Sequence, residues 1–130
     1  MEKTLYFDNP REAADLTGRM TLDEKAGQMM HGTLPATGPM GVAGIGSGYD
    51  MAKAAPLVVD RHVTTFITRL AGAPSFLAEQ NNTIQAIAEK SRLGVPATIS
   101  TDPRHHFQFT AGASVAPGGF SQWPEAPGLA

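Results

Sequence analysis

The chain contains no cysteine, which excludes a disulfide framework and a thiolate zinc site and leaves the redox compartment unmarked. No uninterrupted apolar run approaches the roughly 20 residues that a membrane-spanning helix requires. Positive charge is sparse. The ten Lys and Arg are scattered singly against twelve Asp and Glu, for a formal net charge of -2. No basic patch is left to grip a phosphate backbone or an anionic bilayer, so composition argues against nucleic acid and membrane as partners. The N-terminal "MEKTLYFDNPREAADL" lacks the basic-then-apolar order of a secretory signal. As written the chain starts in the cytoplasm; a true start elsewhere would make it periplasmic or secreted, so localisation is left unassigned.

What the chain has in quantity is Gly and Pro, fourteen and ten in 130 residues, gathered in two blocks at 32–56 and 110–130. The length suits one domain with a single core. Its end does not: "GASVAPGGFSQWPEAPGLA" closes no helix or strand, and the expectation is a chain cut short.

Two short amphipathic helices are expected near the start. "NPREAADLTGRM" offers Asn9 as N-cap, Pro10 at the first helical position and Glu12 at the capping-box position, with Ala13, Leu16 and Met20 at helical spacing. "MTLDEKAGQMMHG" repeats the device with Thr21 and Glu24, places Leu22, Ala26, Met29 and Met30 on one face, and ends at Gly32. Met20, Met29 and Met30 read as core filler. Residues 32–56 read as a Gly/Pro-rich loop. "GIGSG" follows no apolar strand and lacks a G-K-[ST] ending, so it is a flexible loop rather than a phosphate cradle. "YDMAKAAP" reads as a turn of helix ended by Pro56.

"RHVTTFITRL", Arg61 to Leu70, is the clearest strand. After the turn "AGAP", the segment "SFLAEQNNTIQAIAEKSRLG" puts Leu77, Asn81, Ile84, Ala88 and Ser91 on one helical face, with Gly94 at the C-terminal glycine position. A second strand, Pro96 to Asp102, follows. Strand, helix, strand is a βαβ unit with parallel strands, and a parallel sheet needs both faces covered, so more strands are required than these two. Asp102 closes the second strand. In parallel α/β architectures ligands bind beyond the carboxyl ends of the strands, where an acid accepts hydrogen bonds from substrate hydroxyls. The competing reading is an Asp that simply starts a turn before Pro103.

Several of these segments together resemble one family, the glycoside hydrolase family 3 enzymes, which include β-glucosidases and β-xylosidases. "RMTLDEKAGQMM" looks like that family's R-M-T-[LI]-x-E-K-x-[GA]-Q-[ML] signature. "LAEQNNTIQAIAEKSRLGVPATISTDPRHHF" is similar to its first barrel helix and second strand, and "GASVAPGGFSQWPEAPGLA" to the loop that follows. The resemblance implies an α/β fold, part of a (β/α)8 barrel consisting of N-terminal helices and the first βαβ unit. Residues 1–130 would be the N-terminal part of the barrel domain, without the rest of the barrel or the second domain. Members are retaining hydrolases acting on β-linked glucosides, xylosides or oligosaccharides through two carboxylates about 5–5.5 Å apart, and they need no cofactor. On the resemblance Asp102 matches the aspartate that holds sugar hydroxyls in the cleavage subsite. The family's nucleophile sits in an S-D-[WY]-like motif, which is absent, since Asp8, Asp50 and Asp60 are followed by Asn, Met and Arg. The acid/base falls outside the chain as well. His106 stands where many members have Gly, which marks a different loop. A barrel takes about 250 residues, so the isolated chain is expected to be inactive and marginally folded.

Other constellations are weaker. His31, His62, His105 and His106 include no H-x-x-x-H pair; a metal would have to join Asp102 and His105 to His62, and ordinary polar histidines are the expectation. Ser100 lacks a nucleophile elbow. Trp123, Phe107, Phe109 and Phe120 read as loop aromatics pinned to the core rather than a sugar platform. Two functional readings remain: a glycosidase's N-terminal portion, or a non-catalytic truncated product with at most a weak binding or partner surface.

Overall fold

Two helices precede the sheet. The computed structural model describes residues 10–38, 48–70, 72–101 and 121–124. α1 spans Pro10–Arg19 and starts on the proline, whose fixed φ suits a first helical turn; Asn9 lies outside the described residues. α2 spans Leu22–Gln28 on a complete capping box. The Glu24 backbone N–H donates to the Thr21 hydroxyl at 3.2 Å, and the Thr21 N–H donates to Glu24 Oε2 at 2.8 Å.

The far side of α2 corrects two expectations. The helix ends at Met29 rather than Gly32, which belongs to a strand. Leu22, Ala26, Met29 and Met30 face solvent, and the buried residues are Glu24 and Gly27. The cause is close backbone approach: a Cβ on Gly27 would stand 2.5 Å from the carbonyl oxygens of Arg61 and His62. Gln28 reinforces the contact, donating to His62 O at 3.0 Å and accepting from the Thr64 hydroxyl at 2.6 Å. Met29 and Met30 are therefore not core filler, whereas Met20 is half-buried.

Three strands and two crossover helices follow: β1 His31–Thr33, α3 Met51–Val59, β2 Thr65–Thr68, α4 Pro74–Ala88 and β3 Thr98–Thr101. The sheet is parallel in the order β1-β2-β3, with His31 opposite Thr65 and Thr65 opposite Thr98. The expected βαβ unit is present, preceded by a third strand at the junction of the expected second helix and the stretch 32–56 expected as loop. The expected strand 61–70 contracts to four residues, because His62 takes φ 55 and turns the chain just before it. α3 runs through Pro56 instead of ending there. Proline removes one donor, but Asp50 caps the helix by accepting from Lys53 N–H at 3.3 Å, and Ala54 and Val58 are buried on either side of the proline.

Helix α4 follows its spacing: Ile84 and Ala88 are buried, with Leu77, Asn81 and Ser91 half-buried. It stops at Ala88 with Glu89 as cap, earlier than the expected Gly94, which takes φ 60 in a later turn. Gln85 then acts as a substitute strand partner, accepting from Ala97 N–H at 2.9 Å and donating to Ala97 O at 2.6 Å.

Alternation along β2 places Phe66 and Thr68 inward and leaves Thr65 and Ile67 half-exposed. The register puts Gly32 and Ile99 on the inner face, where Phe66, Val58, Ile84 and Leu70 form the core under α3 and α4. The outer face carries His31, Thr33, Thr65, Ile67, Thr98 and Ser100, and no described element covers it. The architecture is α/β with a small parallel sheet covered on one side. Among the described residues no helix is long and apolar enough to cross a membrane.

Candidate functional site

β2 and β3 end level with each other, Thr68 opposite Thr101. At this carboxyl end a polar network ties three elements together. The Tyr49 hydroxyl lies 2.8 Å from Thr68 Oγ1 and 2.8 Å from Asn81 Oδ1, and Thr68 Oγ1 accepts from Leu70 N–H at 3.2 Å. Gln80, beside Asn81 on α4, accepts from Tyr49 N–H at 2.8 Å. Burial pushes the Tyr49 phenol above its ordinary pKa, against the opposing hydrogen bond to Thr68, so it is a neutral hydrogen-bonding group rather than a base. The loop before α3, the end of β2 and the first half of α4 are thereby locked around one ring. Sequence reasoning singled out Asn81 only as a helix-face residue and missed Tyr49.

Asp102 is the residue after Thr101 and lies outside the described residues, as do Arg104, His105 and His106. What the structure supplies is the strand that leads to Asp102 and the fixed end of its neighbour. Ser100, two residues earlier, points to the open face. Its Oγ donates to Phe66 O at 3.1 Å and stands 3.3 Å from His31 Nε2. With its proton turned toward a carbonyl, Ser100 is a structural tie across β2 and not an activated nucleophile.

Among the described residues no three of His, Cys, Asp and Glu gather as a metal would require. His62 is not on a strand. It occupies the turn before β2, at the amino end of the sheet, while Thr101 closes β3 at the carboxyl end. Trp123 is 61% exposed, which corrects the expectation that it pins its loop to the core; Phe107, Phe109 and Phe120 lie outside the described residues.

Elsewhere in the fold Glu24 meets Arg92. Arg92 Nε donates to Glu24 Oε1 at 2.9 Å, and Nη2 donates both to Glu24 Oε2 and to Arg19 O, the latter at 2.8 Å. Hydrogen bonding from Arg92, then from the Thr21 N–H, lowers the Glu24 pKa from 4.5 to about 2. This clamp joins the α1–α2 turn to the segment between α4 and β3. Two of the tracts that carry the family resemblance, "RMTLDEKAGQMM" and the one that contains "SRLGVP", are thus physical partners.

No protein-family model matches the chain. It is 56% identical over 119 residues to a periplasmic β-glucosidase/β-xylosidase of Dickeya chrysanthemi, a match covering 91% of this chain and 18% of that protein. It is 41% identical over 121 residues to β-glucosidase C of Emericella nidulans, covering 89% of this chain and 18% of the relative. The chain spans about a fifth of the length of the curated relatives it matches. Over that span it is a homologue of the β-glucosidases and β-xylosidases of glycoside hydrolase family 3.

Proposed function

We propose that residues 1–130 are the N-terminal part of the barrel domain of a retaining β-glycoside hydrolase, acting on β-linked glucosides, xylosides or oligosaccharides, with Asp102 as an acceptor for sugar hydroxyls in the cleavage subsite. The observation that carries this reading is positional. β3 ends at Thr101, level with the end of β2, and the next residue is an acid where parallel strands deliver ligand-binding groups. The homology supports the substrate class, and the one-sided sheet fits the start of a ring of strands rather than a finished fold.

In this reading the chain binds and does not cut. Hydrolysis with retention needs one carboxylate as nucleophile and another as acid/base, and the S-D-[WY] tract expected to hold the first is missing from the sequence. The residue inferred here acts by accepting hydroxyl hydrogen bonds, which fix the ring against the reacting groups supplied by the rest of the enzyme. The alternative, a non-catalytic product with a weak binding or partner surface, separates cleanly. A chimaera in which this chain replaces the matching stretch of the Dickeya chrysanthemi enzyme should hydrolyse a nitrophenyl β-glucoside, while the 130-residue chain alone should not. A folded but inactive chimaera would favour the alternative.

A further inference from the structure

The carboxyl end of β2 is anchored on both sides of one residue. Thr68 and Leu70 are buried, and Thr68 Oγ1 accepts from Leu70 N–H at 3.2 Å, which bends the chain around Arg69. The Thr68 hydroxyl also lies 2.8 Å from the Tyr49 hydroxyl, which reaches Asn81 of α4 at 2.8 Å. Arg69 itself is half-buried, and its Nε is buried. A guanidinium keeps its charge in any surroundings, so enclosing it is costly unless carboxylate or carbonyl oxygens gather round it. The first residues beyond the three strands are Leu34, Arg69 and Asp102. Leu34 is apolar and buried; the other two carry opposite charges.

We propose that Arg69 is a positioning residue of the sugar subsite, its guanidinium gripping the Asp102 carboxylate through two parallel N–H···O bonds. Asp102 lies outside the described residues, and the strand register leads to it. Ile67 stands opposite Ser100 and Thr68 opposite Thr101, so the next positions in step are 69 and 102. Thr65 and Ile67 on β2, with Thr98 and Ser100 on β3, belong to the open face of the sheet. The period of two carries 69 and 102 to that same side, where opposite charges at neighbouring positions attract. Two other arginines near the sheet are placed elsewhere: Arg92 grips Glu24, and Arg61 precedes β2 at the amino end. The pair has a chemical use. A carboxylate offers about four lone-pair sites, of which the guanidinium fork takes about two and leaves the rest for sugar hydroxyls. The adjacent cation also favours the ionised form, which accepts hydrogen bonds and donates none.

The inference rests on the reading of Asp102 as an acceptor for sugar hydroxyls, and the test separates the two. In the Dickeya chrysanthemi chimaera, kcat/KM for a nitrophenyl β-glucoside is measured for Arg69→Gln, Asp102→Asn and the double variant. The expected result is a loss of about 10–100-fold in each single variant. The double variant should lie close to the weaker single one, because both residues act through one pair. Arg69→Lys keeps the charge and loses the fork, so it should fold as the parent does and recover only part of the loss. Where Arg69→Gln does not fold, the same cycle is read with Arg69→Lys. Full activity in Arg69→Gln or Arg69→Lys, beside a weakened Asp102→Asn, overturns the role of Arg69 and spares the sugar reading. Losses that multiply in the double variant do the same, since Arg69 would then act apart from Asp102. Full activity in Asp102→Asn, or a folded but inactive chimaera, overturns the sugar reading and the inference with it.

Discussion

The Glu24 carboxylate and the Arg92 guanidinium, 68 residues apart in sequence, form a two-pronged ion pair that also satisfies Arg19 O. Glu24 has a second task as the capping-box residue of α2. One carboxylate thus completes a helix N-terminus and anchors a distant connection.

Acid should release this clamp in a definite window. The Glu24 pKa is about 2 in the folded chain against 4.5 ordinarily. A depressed carboxyl contributes stability that is complete above about pH 4.5 and is lost as pH falls toward 2. Urea midpoints of the 130-residue chain measured across that range should fall for the wild type. Glu24→Gln should start lower and show a smaller fall. An equal slope in both would remove Glu24 from the explanation.

Two glycine substitutions should have opposite signs. Gly27→Ala drives a methyl onto two backbone oxygens and should cost about 1–3 kcal/mol, despite alanine's better helix propensity. Gly18→Ala in α1, where a Cβ would meet nothing within 4 Å, should stabilise by up to about 1 kcal/mol. Urea denaturation of the two variants decides it.

The one-sided sheet makes neighbouring positions unequal. Phe66 is fully buried, so Phe66→Ala should cost about 3–5 kcal/mol. Ile67, on the open face, should cost clearly less in the same substitution, on the order of 1 kcal/mol. In the longer chimaera, where the outer face is expected to be covered, the Ile67→Ala penalty should rise.

Removing the Tyr49 hydroxyl leaves Thr68 and Asn81 short of a partner. Tyr49→Phe should destabilise the chain by about 1–2 kcal/mol. Amide exchange should accelerate most at Leu70, whose N–H is held by Thr68.

Local signals in the sequence were reliable where the physics is local. Thr21 and Glu24 announce a capping box by spacing, Pro10 a helix start, and Ile84 with Ala88 a buried helix face. Several of the misses involve distant partners. β1 is three residues long with a glycine at its centre, so its existence depends on pairing with β2 rather than on its own propensity. The outward turn of Met29 and Met30 follows from Gly27 docking on carbonyls 34 and 35 residues away. The Tyr49 network joins residues 19 and 32 positions apart, and no periodicity encodes it. Of the candidate site, the strand leading to Asp102 was legible as a short β-favouring run ending on an acid, and the strand beside it was read longer than it is.

The most direct test of the account is hydrolysis of a nitrophenyl β-glucoside by the Dickeya chrysanthemi chimaera with and without Asp102→Asn. Loss of a charged hydrogen bond to a sugar hydroxyl should lower kcat/KM by about 10–100-fold, with the fold unchanged by circular dichroism. Undiminished activity in the variant, or turnover by the unextended 130-residue chain, would contradict the placement of Asp102 in a sugar pocket completed by the rest of the enzyme.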